Sequence, residues 1–137
     1  MSTTTFSREE KAAIKAAAAE ARAAKEGADL EAACLASIAA MTGTDRELAE
    51  AFHDLVRTHT DLRPKTWYGM PSYANAAGKV VVFFKCSAKF NARYSTIGFE
   101  EAAKLDEGDF WPTTYAVTRL GEDDEKRLIA LLKRAVG

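Results

Sequence analysis

Several kinds of residue and motif are scarce in this chain, and each scarcity excludes a class of protein. Of 137 residues only two are cysteine and two are histidine. Cys34 and Cys86 stand in unlike contexts, without the paired spacing of a zinc or redox site, so they read as reduced, buried thiols and no disulfide is expected. His53 and His59 are six positions apart and cannot share a helix face as ligands three or four apart would. His59 is expected on the apolar face of its helix and His53 in solvent. No stretch approaches the ~20 apolar residues needed to cross a bilayer. Residues 1–5 lack the basic start and apolar core of a secretory leader, so no membrane is expected as partner and the location is expected to be cytoplasmic. Glycine-rich phosphate loops, a nucleophile elbow and a dinucleotide fingerprint are all missing, and neither Ser72 nor Cys86 has a base visible in the sequence. A non-enzymatic role is expected.

One further absence is local. Residues 62–99 contain no Asp or Glu, yet carry Arg63, Lys65, Lys79, Lys85, Lys89 and Arg93. The same window holds eight of the thirteen aromatic residues. The net charge of the whole chain is only −1, because acidic segments flank this basic stretch, and they weaken any long-range field that would draw in nucleic acid. The aromatics form no recognisable RNA-reading motif. A small anionic ligand fits the window better.

What is present describes one domain. At this length folding buries about two-thirds of the chain's surface, and a content of 47% hydrophobic and 28% charged residues is ordinary for a globular protein. Ser7-Arg8-Glu9-Glu10 is a capping box, followed by an alanine-rich helix expected to reach Gly27. A second helix is predicted from about Asp29 to Gly43, using Leu30, Cys34, Leu35, Ile38 and Met41. Thr44-Asp45-Arg46-Glu47 starts a third, with Leu48, Phe52, Leu55, Val56 and His59 along one stripe. Asn75-Ala76-Ala77-Gly78 is a turn into a strand over 79–86 that is apolar at both parities and so central in a sheet. Further strands are predicted over 90–96 and 113–120, a short helix over 99–104, and a last helix over 122–136 with acids first and bases last. The fold class is α+β, an antiparallel sheet of about five strands packed by helices, divided as a helical N-terminal extension over 1–43 and an α+β domain over 44–137.

The densest run of large side chains is Trp67-Tyr68-Gly69-Met70-Pro71-Ser72-Tyr73. Pro71 and Gly69 forbid an uninterrupted helix, so two extended pieces joined by a bend are expected. Trp67, Tyr68, Met70, Tyr73, Tyr94 and Trp111 are expected to wall a pocket, with Lys85 or Arg93 supplying positive charge. The competing site is acidic. Glu100, Glu101, Asp106 and Asp109 lie within ten positions and offer oxygen ligands to a hard cation, although surface acids are common. The cluster of Glu122, Asp123, Asp124 and Glu125 is already explained by the helix it begins.

The run from Trp67 to Tyr73, followed by Gly78-Lys79-Val80-Val81-Val82-Phe83-Phe84, Arg93-Tyr94, Ile97-Gly98-Phe99, Leu105-Asp106-Glu107-Gly108 and Trp111-Pro112, resembles the YdhG-like family. The resemblance covers roughly the second half of the chain and the helix before it. It implies a frataxin-like α+β arrangement, and its named member implies a bacterial iron chaperone that binds ferrous iron through acidic patches and passes it to a protein partner. No cofactor is expected under the pocket reading, and ferrous iron under the chaperone reading. A scaffold for protein contacts is the third expectation.

Overall fold

Alanine has the highest helix propensity of any residue, and the N-terminal run behaves accordingly. The computed structural model describes residues 7–137; the leader reading of residues 1–5 lies outside them. Helix α1 is a single element, Arg8–Ala39, opened by the Ser7 hydroxyl, which accepts the Glu10 amide at 3.1 Å. The break expected at Gly27 does not occur. A helical glycine costs only about 1 kcal/mol relative to alanine, no proline accompanies Gly27 to turn that cost into a stop, and Asp29, expected to start a new helix, lies inside α1. Residues 8–30 are all exposed, whereas Cys34 and Ile38 are buried. The helix therefore has a long free arm and a docked end.

Helix α2, Gly43–His59, follows a sharp corner in which Gly43 takes a left-handed φ of +57°. Leu48, Phe52 and Val56 form its buried stripe as their spacing predicts. Two expectations for this helix fail. The capping box expected over Thr44-Asp45-Arg46-Glu47 does not form, since Thr42 is the cap residue and makes no side-chain bond. His53, expected in solvent, is buried, because a hydroxyl group on the sheet offers its ring a partner.

The sheet is an antiparallel meander in the order β1-β2-β3-β4-β5. Its strands are β1 Arg63–Trp67, β2 Met70–Ala74, β3 Val80–Lys85, β4 Ser95–Phe99 and β5 Thr114–Val117. Trp67 pairs with Met70 across a two-residue turn, Tyr68 and Gly69 both having positive φ, which gives the tight hairpin that the bend in the sequence suggests. The Asn75 side chain fixes the next turn, its Oδ1 accepting the Ala77 and Lys79 amides at 3.0 Å. β3 is central, and Val81, Val82 and Phe84 are buried.

Two segments depart from their patterns. The strand expected over 90–96 is instead a short 3-10 turn, Ala88–Phe90, ended by left-handed Asn91, and pairing begins only at Ser95. Phe90 to Tyr94 alternate as a strand would, but the Asp45 carboxylate accepts the Ser87 hydroxyl at 2.7 Å, the Ala88 amide at 3.0 Å and the Ser95 hydroxyl at 3.0 Å. These bonds draw the loop onto the first turn of α2. The helix expected over 99–104 is a turn, because Phe99 belongs to β4 and the Lys104 amide is taken by the Ala135 carbonyl at 2.8 Å. β5 is also shorter than the 113–120 expected.

Helix α3, Glu122–Val136, matches its predicted span, with Asp124 Oδ2 accepting the Gly121 amide at 3.0 Å. Tyr73, Val82, Phe84, Ile97, Phe99 and Val117 meet Cys34 and Ile38 of α1, Phe52 and Val56 of α2, and Leu128 and Leu132 of α3 in one core. Phe52 sits edge-on to Tyr73 at 5.4 Å between centroids. The architecture is α+β in two layers, the helices gathered on one face of the sheet. Among the described residues no helix is long and apolar enough to cross a membrane.

Candidate functional site

Strand alternation sends every second side chain to the face away from the helices. The register places Lys65 beside Ser72, Ser72 beside Phe83, Phe83 beside Gly98 and Gly98 beside Thr114. Gly98 leaves room that Phe83 fills: a Cβ there would lie 2.2 Å from Phe83 Cζ. The Phe83 ring in turn lies 5.7 Å from that of Trp67, and Tyr68 sits edge-on to Trp67 at 4.8 Å. Tyr68 holds a φ of +52° and is 80% exposed. A non-glycine residue in that region costs about 1–2 kcal/mol, and core packing does not compensate a ring left in water.

Two cavities adjoin these aromatics. One, of about 640 Å³, is lined by Lys65, Trp67, Lys79, Glu100 and Glu101 among others. Its neighbour, of about 440 Å³, is walled by Phe83, Phe99, Trp111, Glu100, Glu101 and Asp106. Glu100 and Glu101 stand between them. Both volumes fall in the range of small-molecule sites.

The residues expected to share one pocket are thus divided. Trp67, Met70 and Lys85 belong to the open face, Tyr68 stands at its hairpin tip and Trp111 at its border. The ammonium of Lys85 lies over the Phe90 ring at 4.5 Å. Arg93 and Tyr94 are exposed on the β3–β4 loop, guanidinium over ring at 5.3 Å, beside a small separate cavity that includes Asp45. Tyr73 points the other way and is fully buried. Its hydroxyl shares a hydrogen bond with His53 Nδ1 at 2.9 Å and accepts from Cys34 Sγ at 4.0 Å, so the three residues tie α1 and α2 to β2. Burial lifts the Cys34 thiol and the Tyr73 phenol above their ordinary values and pulls the His53 imidazole below its own.

A pH dependence follows from His53. Unfolding frees the ring to titrate at its ordinary value, 6.5, while the folded value is lower, so the unfolded chain binds more protons just below that pH. The stability that His53 contributes is complete above its unfolded pKa and falls as pH drops through it towards the folded one. Urea unfolding at a series of pH values from neutral to mildly acidic should show this slope reduced in His53→Gln. Equal slopes in the two proteins would rule out the buried neutral imidazole.

Of the acids proposed as iron ligands, Glu100, Glu101 and Asp106 line one cavity and Asp109 does not. Among the described residues no group of three or more His, Cys, Asp or Glu side chains is gathered as a metal site. The structure adds Phe83, Lys65 and Lys79 to the surroundings of Trp67. Only the glycine at 98 hinted at Phe83, and its meaning depends on the register. Comparison of the chain with protein-family models, with curated proteins and with solved structures returned no match.

Proposed function

We propose that the protein is a non-enzymatic binding protein that holds a small, flat anionic ligand on the open face of the sheet, its plane against Trp67 and Phe83 and its charge towards Lys65 and Lys79. The observation that carries this reading is the Trp67–Phe83 pair, 5.7 Å apart on the face that none of the described helices covers. Aromatic walls with nearby cations suit such ligands, and the strained, exposed Tyr68 beside them is a feature that binding sites tolerate more readily than scaffolds do.

The test is a thermal-shift and calorimetric screen with small planar carboxylates and phosphates. A true ligand at a hundred times its dissociation constant adds about 2.7 kcal/mol of stability. Its affinity should fall about tenfold or more in Trp67→Ala, the scale of a desolvated aromatic contact, and less in Lys65→Ala or Lys79→Ala. A screen without a single stabilising anion, or a ligand indifferent to Trp67→Ala in a folded protein, would sink the proposal.

The iron-chaperone reading has one observation in its favour, the shared cavity wall of Glu100, Glu101 and Asp106. Anaerobic titration with ferrous iron separates the two: saturable binding that is lost on replacing these carboxylates and indifferent to Trp67→Ala supports iron as cargo.

A further inference from the structure

The cavity beside Trp111 shares Glu100 and Glu101 with the one beside Lys65 and Lys79 but differs from it in the rest of its wall. Its walls combine Phe83, Phe99 and Trp111 with three carboxylates, those of Glu100, Glu101 and Asp106, and include no Lys or Arg. Lys65 and Lys79 share only the adjoining cavity with Glu100 and Glu101, and two other basic residues of this region, Arg134 and Lys104, are turned to other partners. Arg134 donates to Glu107 at 2.6 Å and to the carbonyls of Leu105 and Asp106 at 3.3 Å. The Lys104 ammonium approaches Gly137 at the C-terminal end of α3. The four ion pairs among the described residues involve none of the three cavity carboxylates.

An anionic hollow with aromatic walls discriminates by charge and by hydration at once. The face of an indole ring attracts a cation, and the attraction grows as water leaves. A bare metal ion needs several oxygen ligands at close range, an arrangement absent among the described residues. An organic ammonium ion needs only negative potential and apolar contact for its carbon substituents. We infer that the 440 Å³ cavity is a binding site for a small organic ammonium ion, with Trp111 and Phe83 against its alkyl shell and Glu100, Glu101 and Asp106 balancing its charge. This site shares Phe83, Glu100 and Glu101 with the surroundings of the anion site but uses neither Trp67 nor Lys65 nor Lys79.

The chain has two tryptophans, so in Trp67→Phe the remaining indole reports on this cavity alone, while the proposed anion site is impaired. The probe is choline at low salt, compared with 3,3-dimethylbutan-1-ol, its uncharged isostere of similar size. Choline should change Trp111 emission saturably and bind about tenfold or more tightly than the alcohol, as a cation–π contact with supporting charge requires. The variant Glu100→Gln, Glu101→Gln, Asp106→Asn should erase that preference, and Trp111→Leu, followed by calorimetry, should weaken choline binding about tenfold. Because Trp111 packs against the core, the carboxamide variant keeps the test decisive if Trp111→Leu does not fold. Equal binding of the alcohol, no saturation by choline, or choline binding that survives the carboxamide variant would each overturn the inference. Manganese(II) that excludes choline and binds equally well to a folded Trp111→Leu protein would also overturn it, by assigning the carboxylates to a metal.

Discussion

Asp45→Ala should destabilise the protein by about 3 kcal/mol, the scale expected when several hydrogen bonds to one buried charge are lost together. The carboxylate accepts the Ser87 and Ser95 hydroxyls and the Ala88 amide, and Ser95 is itself only 2% exposed, so its hydroxyl would be stranded. Asp45→Asn should cost less, about 1–2 kcal/mol, since one acceptor survives while the new amide donor faces other donors. The loss should also depend on pH. Burial pushes the Asp45 carboxyl up, but the bonds from Ser87, Ala88 and Ser95 outweigh it and hold the group below its ordinary value. A depressed folded pKa contributes stability that is complete above the unfolded value, near 3.9, and disappears as pH falls through the lower folded value. Chemical denaturation of wild type and Asp45→Ala at neutral pH and in acid should therefore give curves that converge in acid. A difference constant with pH would mean that Asp45 acts by packing and not by charge.

Gly98→Ala should do more to the open face than to the fold. The new Cβ would lie 2.2 Å from Phe83 Cζ and 2.5 Å from Cε1, so the ring must leave its position over β4. Phe83 is half-buried and borders a cavity, which gives the ring somewhere to go and keeps the cost near 1–3 kcal/mol, the usual penalty of overpacking. The displacement should separate Phe83 from Trp67, changing tryptophan emission and near-ultraviolet dichroism and weakening the anion binding proposed at Trp67. A double-mutant cycle gives the sharpest result. In a Phe83→Ala background the clash is gone, and alanine in a strand interior is favoured over glycine by about 0.5–1 kcal/mol, so the same substitution should change sign and become stabilising. If Gly98→Ala costs the same with and without the Phe83 ring, the steric account of this position is wrong.

These two residues mark where the legibility of the sequence ends. Patterns that depend on a residue's own neighbours were readable: the Ser7 cap, the stripe of Leu48, Phe52 and Val56, the Asn75 turn, the apolar parity of β3, and α3 from its acids to its bases. Contacts between distant segments were not. Nothing near Asp45 announces bonds to residues more than forty positions away, and those bonds are what convert a strand-like 90–96 into a loop. His53 looked exposed because its partner, Tyr73, lies on another element. The candidate site followed the same rule. Trp67, Met70 and Lys85 reach one face because hairpin register is local, while Tyr73 alternates onto the opposite face, and Arg93 and Tyr94 leave the sheet with the loop that Asp45 holds.

Helix α1 has a further consequence for how order is distributed along the chain. An isolated helix must first form a nucleus against a large entropic penalty, with a statistical weight of about 10⁻³. The docked turns around Cys34 and Ile38 supply that nucleus, so the exposed arm grows from them residue by residue towards Arg8, without tertiary contacts to hold it. Growth must pass Gly27, where a penalty of about 1 kcal/mol lowers the weight of everything beyond by roughly fivefold. The alanine arm is in that sense borrowed order. Its average length in solution is a thermal quantity, set by propagation from the core and throttled at a single position.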